Sequence, residues 1–288
     1  MAVSTETAQQ GAACATDTPG LATHPAGQQA SARRALLGLR SSPLIHARAH
    51  LWRELLVIAW LGWVYDLITD LAPLRAHTAI TNGEDLLVLE RSLHLNVELT
   101  LNRWLASHHT LGLILSDYYD NAHFVVTLGV LGWLWFRCGQ AYRPLRTALV
   151  LINLIGFAVF WRYPVAPPRM LTGLGFSDVV ASTHAFGSWH AGSLASAANQ
   201  FAAMPSLHVA WALWSAIALW RVPARLWVRL LVALHPVATV FIVFATGNHF
   251  VLDALAGALT CVLALALASA LYRALERRPA RLGGQRAG

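Results

Sequence analysis

Six stretches of this chain are apolar over close to the length needed to cross a bilayer, and that limits the fold more than any other feature. They are 52–72 (LWRELLVIAWLGWVYDLITDL), 113–136, 145–163, 205–220, 226–246 and 250–272. The hydrocarbon core is roughly 30 Å thick, so a helical span takes about 20 apolar residues. The fourth stretch is short and is expected to begin a turn earlier. Lipid offers no water to the backbone, so such segments cross as helices. The expected fold is all-α: an integral-membrane bundle of six transmembrane helices. Composition agrees, since 56% of the 288 residues are hydrophobic and only 12% are charged. That charged fraction is about half of what a soluble domain carries.

The remaining segments fill in the organisation. Residues 84–108 alternate apolar positions at helical spacing with Glu90, Arg91, Glu98 and Arg103. They are expected to form amphipathic helices lying on the membrane surface. Residues 1–45 are rich in Ala, Thr, Gln and Gly and read as a disordered cytoplasmic tail. The membrane domain is expected over 46–275, with its catalytic core at 145–260, and a basic tail follows at 276–288. The connection 164–204 is long for a compact bundle, which marks it as functional or disordered. The formal charge of +7 raises nucleic acid as a partner. The basic residues lie between apolar segments and form no stripe on a soluble face, which excludes it.

All 21 basic residues are arginine, and they orient the bundle. With the N-terminus inside, sixteen arginines fall in inner segments and five in outer ones (Arg75, Arg91, Arg103, Arg162 and Arg169). The positive-inside rule favours this orientation. Both termini are then cytoplasmic, and the expected location is a bacterial plasma membrane. The twelve tryptophans, many near span ends, read as an interfacial belt.

That topology collects polar residues at the outer face. Arg162 ends the third span, Pro205 opens the fourth, Thr246 ends the fifth, and His249 opens the sixth. Ionisable groups in or near the bilayer are functional candidates by default. His249 and Asp253 are four apart and share a helical face. An aspartate that accepts from one ring nitrogen fixes the tautomer and frees the other nitrogen as base or nucleophile. The pair taken alone equally reads as two residues that hold a helix end together. Arg162 and Arg169 flank the proline-stiffened WRYPVAPPRML, and guanidinium groups suit phosphate oxygens. His208 stands just inside a helix that starts at Pro205, where N–H groups and the helix dipole attract anions. Two histidines, two arginines and two helix N-termini describe a phosphoryl-transfer site. One histidine attacks phosphorus and the other protonates the leaving oxygen. Tyr119 and His123, four apart in the second span, either support the site or are simply buried and hydrogen-bonded. His184 and His190, in the outer connection, either meet the headgroup or acceptor or are inert.

On these residues the chain resembles the type 2 phosphatidic acid phosphatase superfamily of membrane enzymes. That superfamily carries K-x6-RP, PSGH and SR-x5-H-x3-D. Arg162-x6-Arg169 is similar to the first, with arginine for lysine and Met170 for proline. Pro205-Ser206-Leu207-His208 is similar to the second, with leucine for glycine. His249-x3-Asp253 matches the second half of the third; its serine and arginine fall on Ile242 and Val243. The chain looks most like the branch of inositol phosphorylceramide synthase, in lacking that arginine and in the wording YPVAPPR and NQFAAMPSLH, which opens at Asn199.

The resemblance covers roughly 80–260. It implies that His249 is the nucleophile, forming a phosphohistidine, that Asp253 orients it, and that His208 protonates the departing alcohol. It implies that Arg162, Arg169 and the backbone N–H near Ser206 hold the phosphate, with Asn199 as a supporting residue. No metal and no cofactor are implied. The donor is a lipid phosphate or phospholipid, and the acceptor is water or a polyol such as inositol. The rival readings are a metal-dependent membrane hydrolase built on His208, His249 and Asp253, and a transporter. A transporter places its polar residues near the midplane; here they gather at one face.

Overall fold

A computed structural model describes residues 51–71, 75–183, 200–221 and 225–277. The tail at 1–45, His184, His190, Asn199 and all but the first two residues of the tail at 276–288 lie outside the described residues. The described chain forms nine α-helices. They are α1 (Leu51–Leu71), α2 (Ala76–Ser92), α3 (Glu98–Ala106), α4 (His109–Arg137), α5 (Gly139–Arg162), α6 (Val179–Thr183), α7 (Leu207–Arg221), α8 (Leu226–Ala245) and α9 (Val251–Arg277). No strand forms among the described residues, and one isolated bridge joins Val165 to Ala202.

The all-helical expectation holds, and α1, α4, α5, α7, α8 and α9 fall on the six apolar stretches. Three of them, α5, α8 and α9, are long and apolar enough to cross a membrane. The physical reasons the others differ are local. Helix α7 has 15 residues, about 22 Å of rise, which is less than the hydrocarbon thickness. Helix α4 is 29 residues long but carries Asp117, Asp120 and His123 in its first half. Helix α1 includes Arg53, Glu54 and Asp66.

The central core joins α4, α5, α7 and α9. Leu134, Leu145, Ile152 and Trp214 pack there with Ala148, Ala210, Ala218, Ala264 and Ala268. The small residues let backbones approach closely, as helix contacts in lipid require. The Trp214 indole N–H donates to the Leu145 carbonyl at 3.0 Å, which satisfies the one polar atom of a fully buried side chain. The opposite surface is also apolar. Leu230, Leu234 and Val237 on α8, and Leu255, Leu259 and Val262 on α9, are exposed. In water such a surface would be an association hazard; against lipid tails it is the expected exterior.

Backbone bonds tie the ends of four helices together. The Val165 N–H donates to Phe201 C=O, and the Ala203 N–H to Val165 C=O. The Arg169 N–H reaches Gly247 C=O, and the Ser206 N–H reaches Asp253 C=O. The C-termini of α5 and α8 and the N-termini of α7 and α9 therefore meet at one end of the bundle. Gly247, with φ of 73°, makes the turn between α8 and α9, a backbone state that glycine enters without strain.

Helices α2 and α3 sit at this same end, and their buried faces mix apolar and polar residues: Ala79, Leu86 and Leu87 turn inward with Glu90, and Leu105 with Glu98 and Asn102. Val88, Leu89, Leu93 and Val97 are exposed, while Glu90, Glu98 and Asn102 are fully buried. The polar residues face inward because they bond to the bundle: Glu90 Oε1 accepts from the Leu252 N–H at 2.6 Å. Asn102 holds three backbone groups at once, with Nδ2 donating to Ser177 and Ala245 carbonyls and Oδ1 accepting from the Ser177 N–H.

Candidate active site

The two histidines come from the first turns of α7 and the turn into α9, and they meet. Their ring centroids lie 5.7 Å apart in an edge-on arrangement. Each helix start is built by a local cap. Ser206 Oγ accepts from the Val209 N–H at 3.4 Å at the head of α7. Asp253 Oδ2 reaches back to the Phe250 N–H at 2.9 Å at the head of α9, the carboxylate half of a capping box.

His249 is almost wholly buried, and its ring is held from one side. Nδ1 lies 2.9 Å from the Ala203 carbonyl and 3.4 Å from Asp253 Oδ2. A carbonyl only accepts, so Nδ1 carries the proton. The neutral ring then has its lone pair on Nε2, the state a nucleophilic histidine needs. The shorter of the two contacts comes from Ala203, which the sequence had no means of indicating. Asp253 does both jobs weighed for it: it closes the helix end and stands beside the imidazole.

His208 is half-buried and held by rings. It stacks on Tyr119 with centroids 4.4 Å apart and planes 18° from parallel. His123 lies 4.2 Å from it, tilted by 59°. His123 is itself turned by its Nδ1 contact to the Tyr119 carbonyl at 3.0 Å. Both residues of α4 that were weighed as support thus reach the site.

The two arginines part company. Arg169 is buried at its guanidinium, with 6% of the side chain exposed. Nε donates to Asn248 Oδ1 at 2.7 Å, and Nη1 pairs with Asp178 Oδ2 at 3.2 Å. Asp178 spends its other oxygen on the Ala181 N–H, capping the short α6. Arg162 is the last residue of α5 and is exposed. Ser206 is buried, and its own N–H is committed to Asp253 C=O.

Behind the α9 turn sits a pair of acids. Glu90 and Glu98 are fully buried. Burial pushes the Glu90 carboxyl up to about 8, helped by the charges of Glu98 and Asp253 and opposed by the Leu252 N–H. Burial likewise raises Glu98, while Glu90 and Arg91 pull the other way. Two carboxyls this close cannot both ionise cheaply, and one proton held between them relieves both. Among the described residues no group of three or more His, Cys, Asp or Glu is arranged to hold a metal ion.

Nearly all of these residues fall within 84–267, the stretch that matches the family model of the PAP2 superfamily. The chain belongs to the PAP2 superfamily. No curated protein and no solved structure matches it. Membership in the PAP2 superfamily supports lipid phosphoryl transfer of the phosphatase type in general. Set against that chemistry, the residues missed in the sequence are Asn248, Asp178, Asn102 and the buried roles of Glu90 and Glu98. Most of their partners lie far along the chain, as with Glu90 and Leu252, 162 residues apart, and Asn102 and Ala245, 143 apart. The one local signal was a polar residue in line with an apolar stripe, as with Glu90 beside Leu86 and Leu87.

Proposed function

We propose that this chain is an integral-membrane enzyme that transfers a phosphoryl group from a lipid phosphate ester through a phosphohistidine at His249. Nε2 of His249 attacks phosphorus, and the bond from phosphorus to the lipid oxygen breaks. His208 gives its proton to that oxygen, so a neutral lipid alcohol leaves. His208, now neutral, takes a proton from the acceptor hydroxyl, whose oxygen attacks the phosphohistidine and restores His249. Arg169 and Arg162 neutralise the phosphate oxygens, with the head of α7 at Ser206 beside them. Asp253 favours the imidazolium character that develops on His249 during attack.

The observation that carries this reading is the division of labour between the two rings. His249 has Nδ1 occupied by a carbonyl, and the half-buried His208 lies 5.7 Å away. The arginine distribution supports six crossings with the site at the extracytoplasmic face. Water as acceptor makes the enzyme a phosphatase; a polyol such as inositol makes it a phosphotransferase. The wording around Arg169 and His208, and the apolar Val243, support the transferase branch.

The test is an assay of purified protein with lipid phosphates labelled at phosphorus, with and without inositol, in excess chelator. The expected result is chelator-resistant release of labelled phosphate, or of labelled inositol phosphate when inositol is present. Loss of activity on chelation would contradict the mechanism in favour of the metal-dependent hydrolase.

A further inference from the structure

Arg169 is anchored by a residue that has an unused half. Asn248 is buried, with 3% exposure. Its Oδ1 accepts from Arg169 Nε at 2.7 Å. Arg169 Nε is an obligate donor, so the amide orientation is set and the NH2 is turned away from the guanidinium. That NH2 is buried and has no hydrogen-bond partner among the described residues. Leaving such a donor buried and unpaired is costly, and an orphan of this kind in a native structure calls for a partner.

The neighbourhood says which partner. Asn248 adjoins the nucleophile His249 in sequence and shares the Val243 carbonyl with it: both N–H groups donate there, at 3.1 and 3.2 Å. Arg169, held by Asn248, brings positive charge to the same place. Val243, where the resemblance expects an arginine, is buried and apolar and supplies only its carbonyl. A phosphate bound beside His249 lacks that cation and has an acceptor oxygen to place.

We propose that Asn248 is a phosphate ligand of this site, its side-chain NH2 donating to a phosphoryl oxygen while its Oδ1 holds Arg169. The inference rests on the phosphohistidine reading and names a further residue that touches the transferred group. One side chain then couples the arginine clamp to the nucleophile's turn.

Asn248→Asp separates the two halves of the amide. It keeps an acceptor for Arg169 and removes the NH2. Orthovanadate and inorganic phosphate serve as probes, with binding and turnover measured on the full-length protein in detergent. A donor role predicts binding weakened about 10- to 100-fold, the loss of a hydrogen bond to a charged group, with Asn248→Ser intermediate because its hydroxyl can donate. Thermal unfolding of both variants checks the fold, and a variant that fails to fold leaves the serine series to decide. Asn248→Asp that binds vanadate as well as the parent overturns the proposal and reduces Asn248 to an anchor for Arg169. Equal binding by Asn248→Ser overturns it too. His249→Ala, run alongside, keeps the two questions apart: an active His249→Ala breaks the phosphohistidine reading, whereas an inactive one with tight vanadate binding by Asn248→Asp breaks only this inference.

Discussion

The heads of α7 and α9 hold the same side chain in opposite ways. At α9, His249 is locked: a carbonyl and a carboxylate both address Nδ1, and the ring is 4% exposed. At α7, His208 packs against the rings of Tyr119 and His123 and remains half-buried. The difference matches two chemical tasks. A nucleophile profits from one tautomer and one orientation. A general acid must load and release a proton each turnover, which suits a ring that is only half-buried.

Substitutions on each side break or sharpen that contrast. His249→Ala should have the largest effect, lowering turnover by at least about 1000-fold, since no other group replaces an attacking atom; a steady-state lipid assay reads it. His208→Ala should cost about 100- to 10,000-fold with lipid alcohol as leaving group. The deficit should shrink with a nitrophenyl phosphate, whose leaving group needs no proton. An equal deficit on both substrates would place His208 elsewhere in the mechanism.

Asp253→Asn should cost less, about 10- to 100-fold, because the Ala203 carbonyl still sets the His249 tautomer that an isolated aspartate would otherwise set alone. Tyr119→Leu removes the stack under His208 and should cost about 2- to 10-fold, the worth of a ring pair. Its effect should vanish in a His208→Ala background; additive losses would mean that Tyr119 acts apart from His208.

The smallest effect concerns the acids behind α9. Glu90 is raised from 4.5 to about 8. The unfolded chain therefore releases this proton at lower pH than the folded one. Stability from this group is complete below about pH 4.5 and falls as pH rises toward 8. Glu90→Gln keeps an acceptor for the Leu252 N–H and removes the titration. Melting temperatures in detergent between pH 5 and 8 should fall less steeply in that variant; parallel slopes would contradict the buried-pair account.

Much of this was legible in the residues because helices write their periodicity locally. The helix positions, the four-residue spacing of His249 and Asp253, and the meeting of Arg169, His208 and His249 at one end all follow from patterns within single segments. Helix α5 begins six residues earlier than its apolar stretch and carries Pro144 inside it. What stayed hidden depends on contacts between distant segments. Nothing near Glu90 announces the Leu252 N–H, and nothing near Asn248 announces Arg169. The buried face of α2 shows why: Glu90 lies in line with Leu86 and Leu87 and accepts from the backbone of α9, so the periodicity marks a helix without marking that contact.

The central claim is a covalent phosphate on His249, and rapid quenching tests it most directly. Protein is mixed with a lipid phosphate labelled at phosphorus and stopped in alkali, where phosphohistidine survives, and the label is then mapped by peptide. The account predicts label on the peptide that contains His249 and none in His249→Ala. Full turnover with no trapped label under single-turnover conditions, or label on another residue, would contradict it.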